Sequence, residues 1–233
     1  MSASPRRLSR RHEVAQGVRM SLAAGLGMVP LGIAFGLLVA QSGLPLWSAP
    51  ALSTAGYAGS LELLLVDLMT QRTPLIAIAV TTLLVNFRHV FYAFSFPLHV
   101  VRNPIARAYS MYALTDEAYA ITAAHPDGWT SWRLLSLQAS LQLYWVSGGL
   151  AGVAVGALLP APIEGLEFAL CALFITLALD AARSRREVPS ILIAAAAFAF
   201  SATAVPEHLL FASMLLFLAG LLARLAIRRR RRA

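Results

Sequence analysis

PLIAIAVTTLLVNFRHVFYAFSFPLHVV, residues 74–101, is an apolar stretch interrupted near its middle by Asn86-Phe87-Arg88-His89. At a rise of about 1.5 Å per residue it is long enough to cross a hydrocarbon core about 30 Å thick. A guanidinium at that depth costs a few kcal/mol, so Arg88 is expected to face a bundle interior or a water-filled chamber rather than lipid. Charges so placed usually mark a transport path.

The rest of the chain agrees. Of 233 residues, 58% are hydrophobic and 13% charged, and the mean hydropathy is +0.69, which is too apolar for a soluble domain of this size. The predicted fold is all-α: a polytopic membrane helix bundle with about eight membrane segments, near 20–41, 50–70, 74–101, 106–124, 132–159, 163–182, 189–205 and 207–227. The fourth is polar for a span and the seventh is short and Ala-rich, so either is a candidate for a broken or re-entrant segment. Residues 1–19 form a basic N-terminal segment, 20–227 one transmembrane domain, and 228–233 a basic tail. The first apolar stretch exceeds a signal-peptide core and others follow it, so it reads as a retained signal-anchor helix.

The formal charge of +8 is concentrated at the ends, with Arg6, Arg7, Arg10, Arg11 and Arg19 before the first segment and Arg228 to Arg232 after the last. Clustered arginines beside membrane segments set orientation and lie against anionic lipid, a better account of them than nucleic-acid binding. An even number of crossings then puts both termini in the cytoplasm of a cell inner membrane. Arg72, Arg133 and the group Arg183, Arg185 and Arg186 fall on the same side, and only Arg102 and Arg107 oppose them.

Several functions are excluded. No lysine occurs anywhere, which removes Schiff-base chemistry and a retinal-type photoreceptor. The lone Cys171 cannot close an intramolecular disulfide and reads as a packing residue. There is no Gly-x-x-x-x-Gly-Lys nucleotide loop, His-Glu-x-x-His or Gly-x-Ser-x-Gly, and neither a cofactor nor a metal is expected.

The third and fourth segments carry the strongest polar constellation. Thr115, Asp116, Glu117 and Tyr119 fall near the middle of 106–124, and counting inward from the connecting loop brings Arg88 level with Asp116 and Glu117. The two segments should pack as an antiparallel hairpin with an ion pair between them. One arginine neutralises one acid, which leaves the other to accept and release a proton. His89 either joins that relay or bonds a backbone carbonyl.

Glu62 is a separate carboxylate behind Gly56, Tyr57, Gly59 and Ser60, small or polar residues that let helices approach or let a helix unwind. Pro30 removes a backbone donor and is expected to kink or break the first helix. Gly165-Leu166-Glu167-Phe168 faintly echoes the motif around Glu62, with Asp180 and Asp67 following; chance accounts for so short an echo more readily than a repeat of two four-segment halves, which would leave the same trace. Glu164, Glu167 and Asp180 near segment ends are expected at an interface.

These motifs in this order resemble the AzlC family of branched-chain amino acid exporters. Its carriers are Pro30 to Gly36 (PLGIAFG), the Gly59-Ser60 region, Leu84 to His89 with Tyr92 and Ser95, Thr115 to Tyr119 (TDEAY), and Gly165 to Leu170 with Ala172-Leu173-Phe174. The resemblance implies a non-enzymatic permease of two components, whose partner is a small AzlD-type membrane subunit and whose cargo is leucine, isoleucine, valine or methionine. One departure is Glu62, where the family pattern has Gln.

A zwitterionic cargo needs a cation, an anion or carbonyls, and an apolar pocket. The expected binding or ion-coupling set is Glu62, Asn86, Arg88, His89, Asp116, Glu117 and Tyr119, with Pro30, Phe35, Gly59, Ser60, Phe87 and Tyr92 lining the pocket. In that allocation Arg88 meets the substrate carboxylate and Glu62 or Asp116 its ammonium. The competing readings are a scaffold or sensor that moves nothing, and an intramembrane enzyme using Asp116 and Glu117.

Overall fold

The structure, a computed structural model, describes residues 9–159, 175, 188–206 and 209–230. Cys171, Glu164, Glu167, Asp180 and the rest of the expected sixth segment apart from Ile175, and with them Arg183, Arg185 and Arg186, lie outside the described residues. Among those described, every regular element is a helix. They fall into two compact units, one of residues 9–72 and 86–159, the other of 73–85, 188–206 and 209–230.

The first unit is organised by two long helices, α1 (Arg10–Gln41) and α8 (Ser131–Leu158). Ser9 caps α1 by accepting from His12 N–H, and Thr130 caps α8 by accepting from Arg133 N–H, each satisfying an otherwise orphaned amide. The two run parallel. At their N-terminal ends Glu13 accepts from Arg133 Nε at 3.0 Å and from Thr130 Oγ1 at 2.8 Å. Further along, Gly25 faces the Tyr144 ring, Gly32 faces Gly148, and Ala40 faces Gly156.

Small residues recurring on both helices let the backbones touch, the usual means of association where lipid competes with any apolar side chain. A Cβ on Gly32 would sit 2.7 Å from the Trp145 carbonyl, and one on Gly148 would sit 2.6 Å from the Val29 carbonyl. Backbone cannot step aside as a side chain can. Gly148→Ala is therefore expected to destabilise the protein by about 1–3 kcal/mol, the range for an overpacked core. Gly27→Ala, at a position with nothing within 4 Å, should leave it unchanged. Thermal midpoints in detergent would compare the two.

Pro30 does not end α1, which continues unbroken to Gln41 and carries the proline on its exposed face. The expectation of a break there is corrected: the missing donor is absorbed within a helix held along its length by α8.

Between α1 and α8 each expected segment is divided. The second becomes α2 (Ser48–Ala55) and α3 (Gly59–Thr70). The third becomes α4 (Leu75–Asn86), a turn at Phe87 and Arg88, and α5 (His89–Tyr92), followed by a single 3-10 turn at Leu98–Val100. The fourth becomes α6 (Pro104–Tyr112) and α7 (Asp116–Ala124). Asn103 caps α6 ahead of Pro104, and Thr115 caps α7 by accepting from Ala118 N–H.

In the second unit, α9 (Val188–Ala204) packs on α10 (Leu209–Arg230), with Gly220 against Ile193 and Arg224 donating to Ser190 Oγ. Four described stretches are long and apolar enough to cross a membrane: Arg10–Gln41, Leu75–Tyr92, Ser131–Leu158 and Phe211–Arg228, while Val188–Ala204 is shorter.

Candidate functional site

Three interruptions of the first unit, at 56–58, 87–88 and 113–115, are tied to one another or to α8 by polar side chains. A helix break leaves carbonyls on one side and amides on the other without intrahelical partners, and those groups need replacements when water is excluded. α8 supplies several of them from residues spaced four and three apart on one face, Gln138, Gln142 and Trp145.

Gln138 is fully buried. Its Nε2 donates to the carbonyls of Ser110 and Ala113 at 2.8 and 2.9 Å, and its Oε1 accepts from Ser110 Oγ at 2.7 Å, which closes the end of α6. Gln142 accepts from the Tyr109 hydroxyl at 2.9 Å and donates to the Tyr112 oxygen at 3.1 Å. Tyr112 in turn donates to the Thr54 carbonyl at the end of α2, 2.5 Å away.

Trp145 Nε1 donates to both oxygens of Glu62, at 3.1 and 3.0 Å. Glu62 also accepts from Ser53 Oγ at 2.7 Å and from Ala58 N–H at 2.9 Å. This carboxylate, in the first turn of α3, reaches back to the amide that precedes its helix and bonds α2 and α8 as well. It is fully buried, and its oxygens point at donors of the protein itself.

Arg88, in the turn between α4 and α5, joins two of the breaks. Its Nη2 lies 2.6 Å from Asp116 Oδ2 and donates to Ser60 Oγ at 3.3 Å. Asp116 Oδ1 accepts from the Tyr92 hydroxyl at 2.6 Å. Tyr92 stacks on Tyr119 with ring centroids 4.1 Å apart and planes 9° from parallel, and the Tyr119 hydroxyl lies 3.2 Å from Ser95 Oγ. The pair is half-exposed, at 45% for Arg88 and 40% for Asp116. Asp116 and Glu117 open α7, so the amides of its first turn favour their charge.

Among the breaks lies a cavity of about 380 Å³. Gly56, Tyr57 and Ala58 of the first break line it, together with Asn86, His89 and an apolar wall that includes Phe96, Leu98, Met111 and Leu114. That volume falls at the small end of ligand pockets, which run roughly 300–1,000 Å³. His89 Nδ1 contacts the Asn86 carbonyl at 2.9 Å, and its ring meets Tyr92 edge-on.

Of the residues expected at the site, Asn86 and His89 line the cavity, and Arg88, Asp116, Tyr92 and Ser60 form the adjoining bonded group. Glu117 opens α7 beside Asp116. Phe35 and Gly59 pack on Trp145, Phe87 meets Phe91 edge-on, and Pro30 lies on the outer face of α1. Tyr57, Gln138, Gln142 and Trp145 were not expected. The three on α8 carry a visible signal, a polar stripe on one face of an otherwise apolar span. Among the described residues no cluster of His, Cys, Asp or Glu suits a metal ion.

No solved structure matches the chain. A protein of Bacillus subtilis described as a branched-chain amino acid transport protein, AzlC, is 30% identical over 161 residues, covering 66% of this chain and 62% of its own length. An uncharacterized membrane protein of Helicobacter pylori is 30% identical over 158 residues, 66% of this chain and 69% of its own, and the inner membrane protein YgaZ of Escherichia coli is 26% identical over 171 residues, 69% and 70%. The AzlC protein family profile matches residues 23–159, more than half of the sequence and the stretch that contains all three helix breaks. The chain belongs to the AzlC family of membrane proteins.

Proposed function

We propose that the protein is a secondary carrier that exports branched-chain or similar small hydrophobic amino acids across the cell inner membrane, coupled to protons and partnered by a small AzlD-type membrane subunit. The observation that carries this reading is the meeting of interrupted helices, a bridging ion pair and a small cavity with one polar and one apolar wall. Carriers bind cargo where helices are discontinuous, because unwound backbone presents charges and dipoles to it. The name of the Bacillus relative supports the choice of cargo.

Leucine suits the cavity chemically. Phe96, Leu98, Met111 and Leu114 offer its side chain an apolar wall, and the half-exposed Arg88, which lies in the chain between the lining residues Asn86 and His89, is the cation for its carboxylate. The count of eight segments draws support from the parallel run of α1 and α8, since two spanning helices pointing the same way need an odd number of crossings between them. Segments two, three and four, as counted from the sequence, would be those three.

The test is efflux of labelled leucine, valine and methionine from proteoliposomes, with and without the small subunit and across a pH gradient. Efflux that rises when the receiving side is the more acidic is expected. Complete absence of flux with the subunit present would leave the scaffold reading in its place.

A further inference from the structure

Most polar side chains around the three breaks are paired with one another, and those left unpaired on the cavity wall share one kind of chemistry. α4 ends at Asn86, and the Val90 N–H bonds to the Phe87 carbonyl rather than to that of Asn86. His89 Nδ1 meets the Asn86 carbonyl instead, at 2.9 Å. A carbonyl oxygen only accepts, so Nδ1 carries the ring hydrogen, and Nε2 of the neutral ring is left with a bare lone pair. Among the described residues Nε2 has no hydrogen-bond partner. The unpartnered side-chain atoms shut away from solvent are Gln41 Nε2, the Tyr57 hydroxyl and Ser201 Oγ, and His89 Nε2 is not one of them. An acceptor on a partly buried residue of the cavity wall therefore stays open to what enters.

Other acceptors share the cavity. The Asn86 side-chain amide also has no partner among the described residues, and its oxygen is a second acceptor on the same wall. Gly56 and Tyr57 line the cavity just past the C-terminus of α2, where a helix carries partial negative charge, and no amide among the described residues bonds to either carbonyl. The nearby acids have other partners: Glu62 accepts from Ser53, Ala58 and Trp145, and Asp116 pairs with Arg88 and Tyr92. The other titratable groups on the elements that meet here are Tyr57, Tyr112 of α6, Tyr92 edge-on to the His89 ring, and Tyr119 and Glu117 of α7. A phenol is uncharged near neutral pH, which leaves the imidazole as the cavity-lining group that changes charge between about pH 5 and 8.

We propose that the His89 Nε2 lone pair is one seat taken in turn by two cations, the ammonium group of an aliphatic α-amino acid and a proton. The inference rests on the carrier reading and puts His89 in place of Glu62 or Asp116 as the partner of the ammonium. With the ring neutral, one ammonium N–H donates to Nε2 and a second can donate to Asn86 Oδ1. A proton from the receiving side that takes the same lone pair turns His89 into a cation with no acceptor, and the ammonium is repelled. The ring then returns protonated and gives its proton up on the cytoplasmic side before the next cargo binds. One proton enters for each amino acid exported, and no bond of the cargo changes. Arg88 is left for the opposite end of the zwitterion.

Binding of labelled leucine to the purified full-length protein across pH, with efflux measured alongside, tests this. Between about pH 7.5 and about pH 5.5 the wild-type dissociation constant is expected to rise about tenfold, as competition with a proton for one imidazole requires. His89→Gln keeps an acceptor oxygen but takes no proton. Its leucine affinity should change less than about twofold over the same range, and acid on the receiving side should no longer speed its efflux. 3-Methylbutylamine, an amine without a carboxylate, should compete with leucine in the wild type at the higher pH and lose that ability at the lower. 2-Hydroxy-4-methylpentanoate, which has no ammonium, should compete no less at the lower pH.

Wild-type leucine affinity that stays constant or tightens on acidification, with efflux intact, overturns the shared seat and leaves the carrier standing. A His89→Gln protein that keeps the wild-type dependence on pH does the same. Should that variant fail to fold, the wild-type series and the amine decide the matter by themselves. Wild-type protein that neither binds nor moves leucine, valine or methionine overturns the carrier reading and this one together.

Discussion

Arg88→Gln is expected to cut leucine efflux at least tenfold while most of the protein still reaches the membrane. Both members of the Arg88 and Asp116 pair are half-exposed, so solvent screens them and their bond stabilises the fold by only about 0–1 kcal/mol. The larger effect is positional. Among the described residues, the guanidinium is the group that connects the start of α7, through Asp116, with the start of α3, through Ser60. An amide is shorter, uncharged and unable to hold both.

Asp116→Asn should be milder, because its remaining oxygen still accepts from Tyr92. The two substitutions together should cost less than the sum of each alone, as for any pair acting through one contact. Efflux at wild-type rate from Arg88→Gln, at equal protein abundance, would remove Arg88 from the transport mechanism.

The largest structural effect is expected from Glu62→Ala. Alanine would strand Ser53 Oγ–H, Ala58 N–H and Trp145 Nε1–H, donors from α2, from the break itself and from α8. Each buried donor left unmatched typically costs about 1–3 kcal/mol, so the three together remove a large part of the roughly 5–15 kcal/mol that holds a domain together. Little folded protein should be recovered. Glu62→Gln keeps one acceptor oxygen but turns an N–H₂ toward groups that are donors themselves, so its thermal midpoint should lie between those of the wild type and the alanine variant. An alanine variant of normal stability would show that water can replace the carboxylate.

Much of this was legible in the residues. Arg88 had to find an acid because charge without a partner is costly in lipid, and the fourth segment offered two at the matching distance from the connecting loop. The breaks were harder to read. Thr115 followed by Asp116 and Glu117 is a helix-start signature in a segment already polar for a span and a candidate for a break, yet its length still allowed a continuous crossing. Continuity of apolar residues records what touches lipid or protein. It does not record whether the backbone stays helical, because distant side chains such as Gln138 can satisfy a broken helix as well as its own amides do. Pro30 shows the converse, a local breaker overruled by packing against α8.

The glycine seam limits how such a molecule can move. With main chain pressed on main chain at Gly32, Gly36, Gly148 and Gly152, α1 and α8 have little clearance to slide past each other, so the pair behaves as a beam. Any exchange of exposure between the two sides of the membrane must then pivot at the interrupted helices that α8 props, and Gln138, Gln142 and Trp145 become bearings on a fixed post.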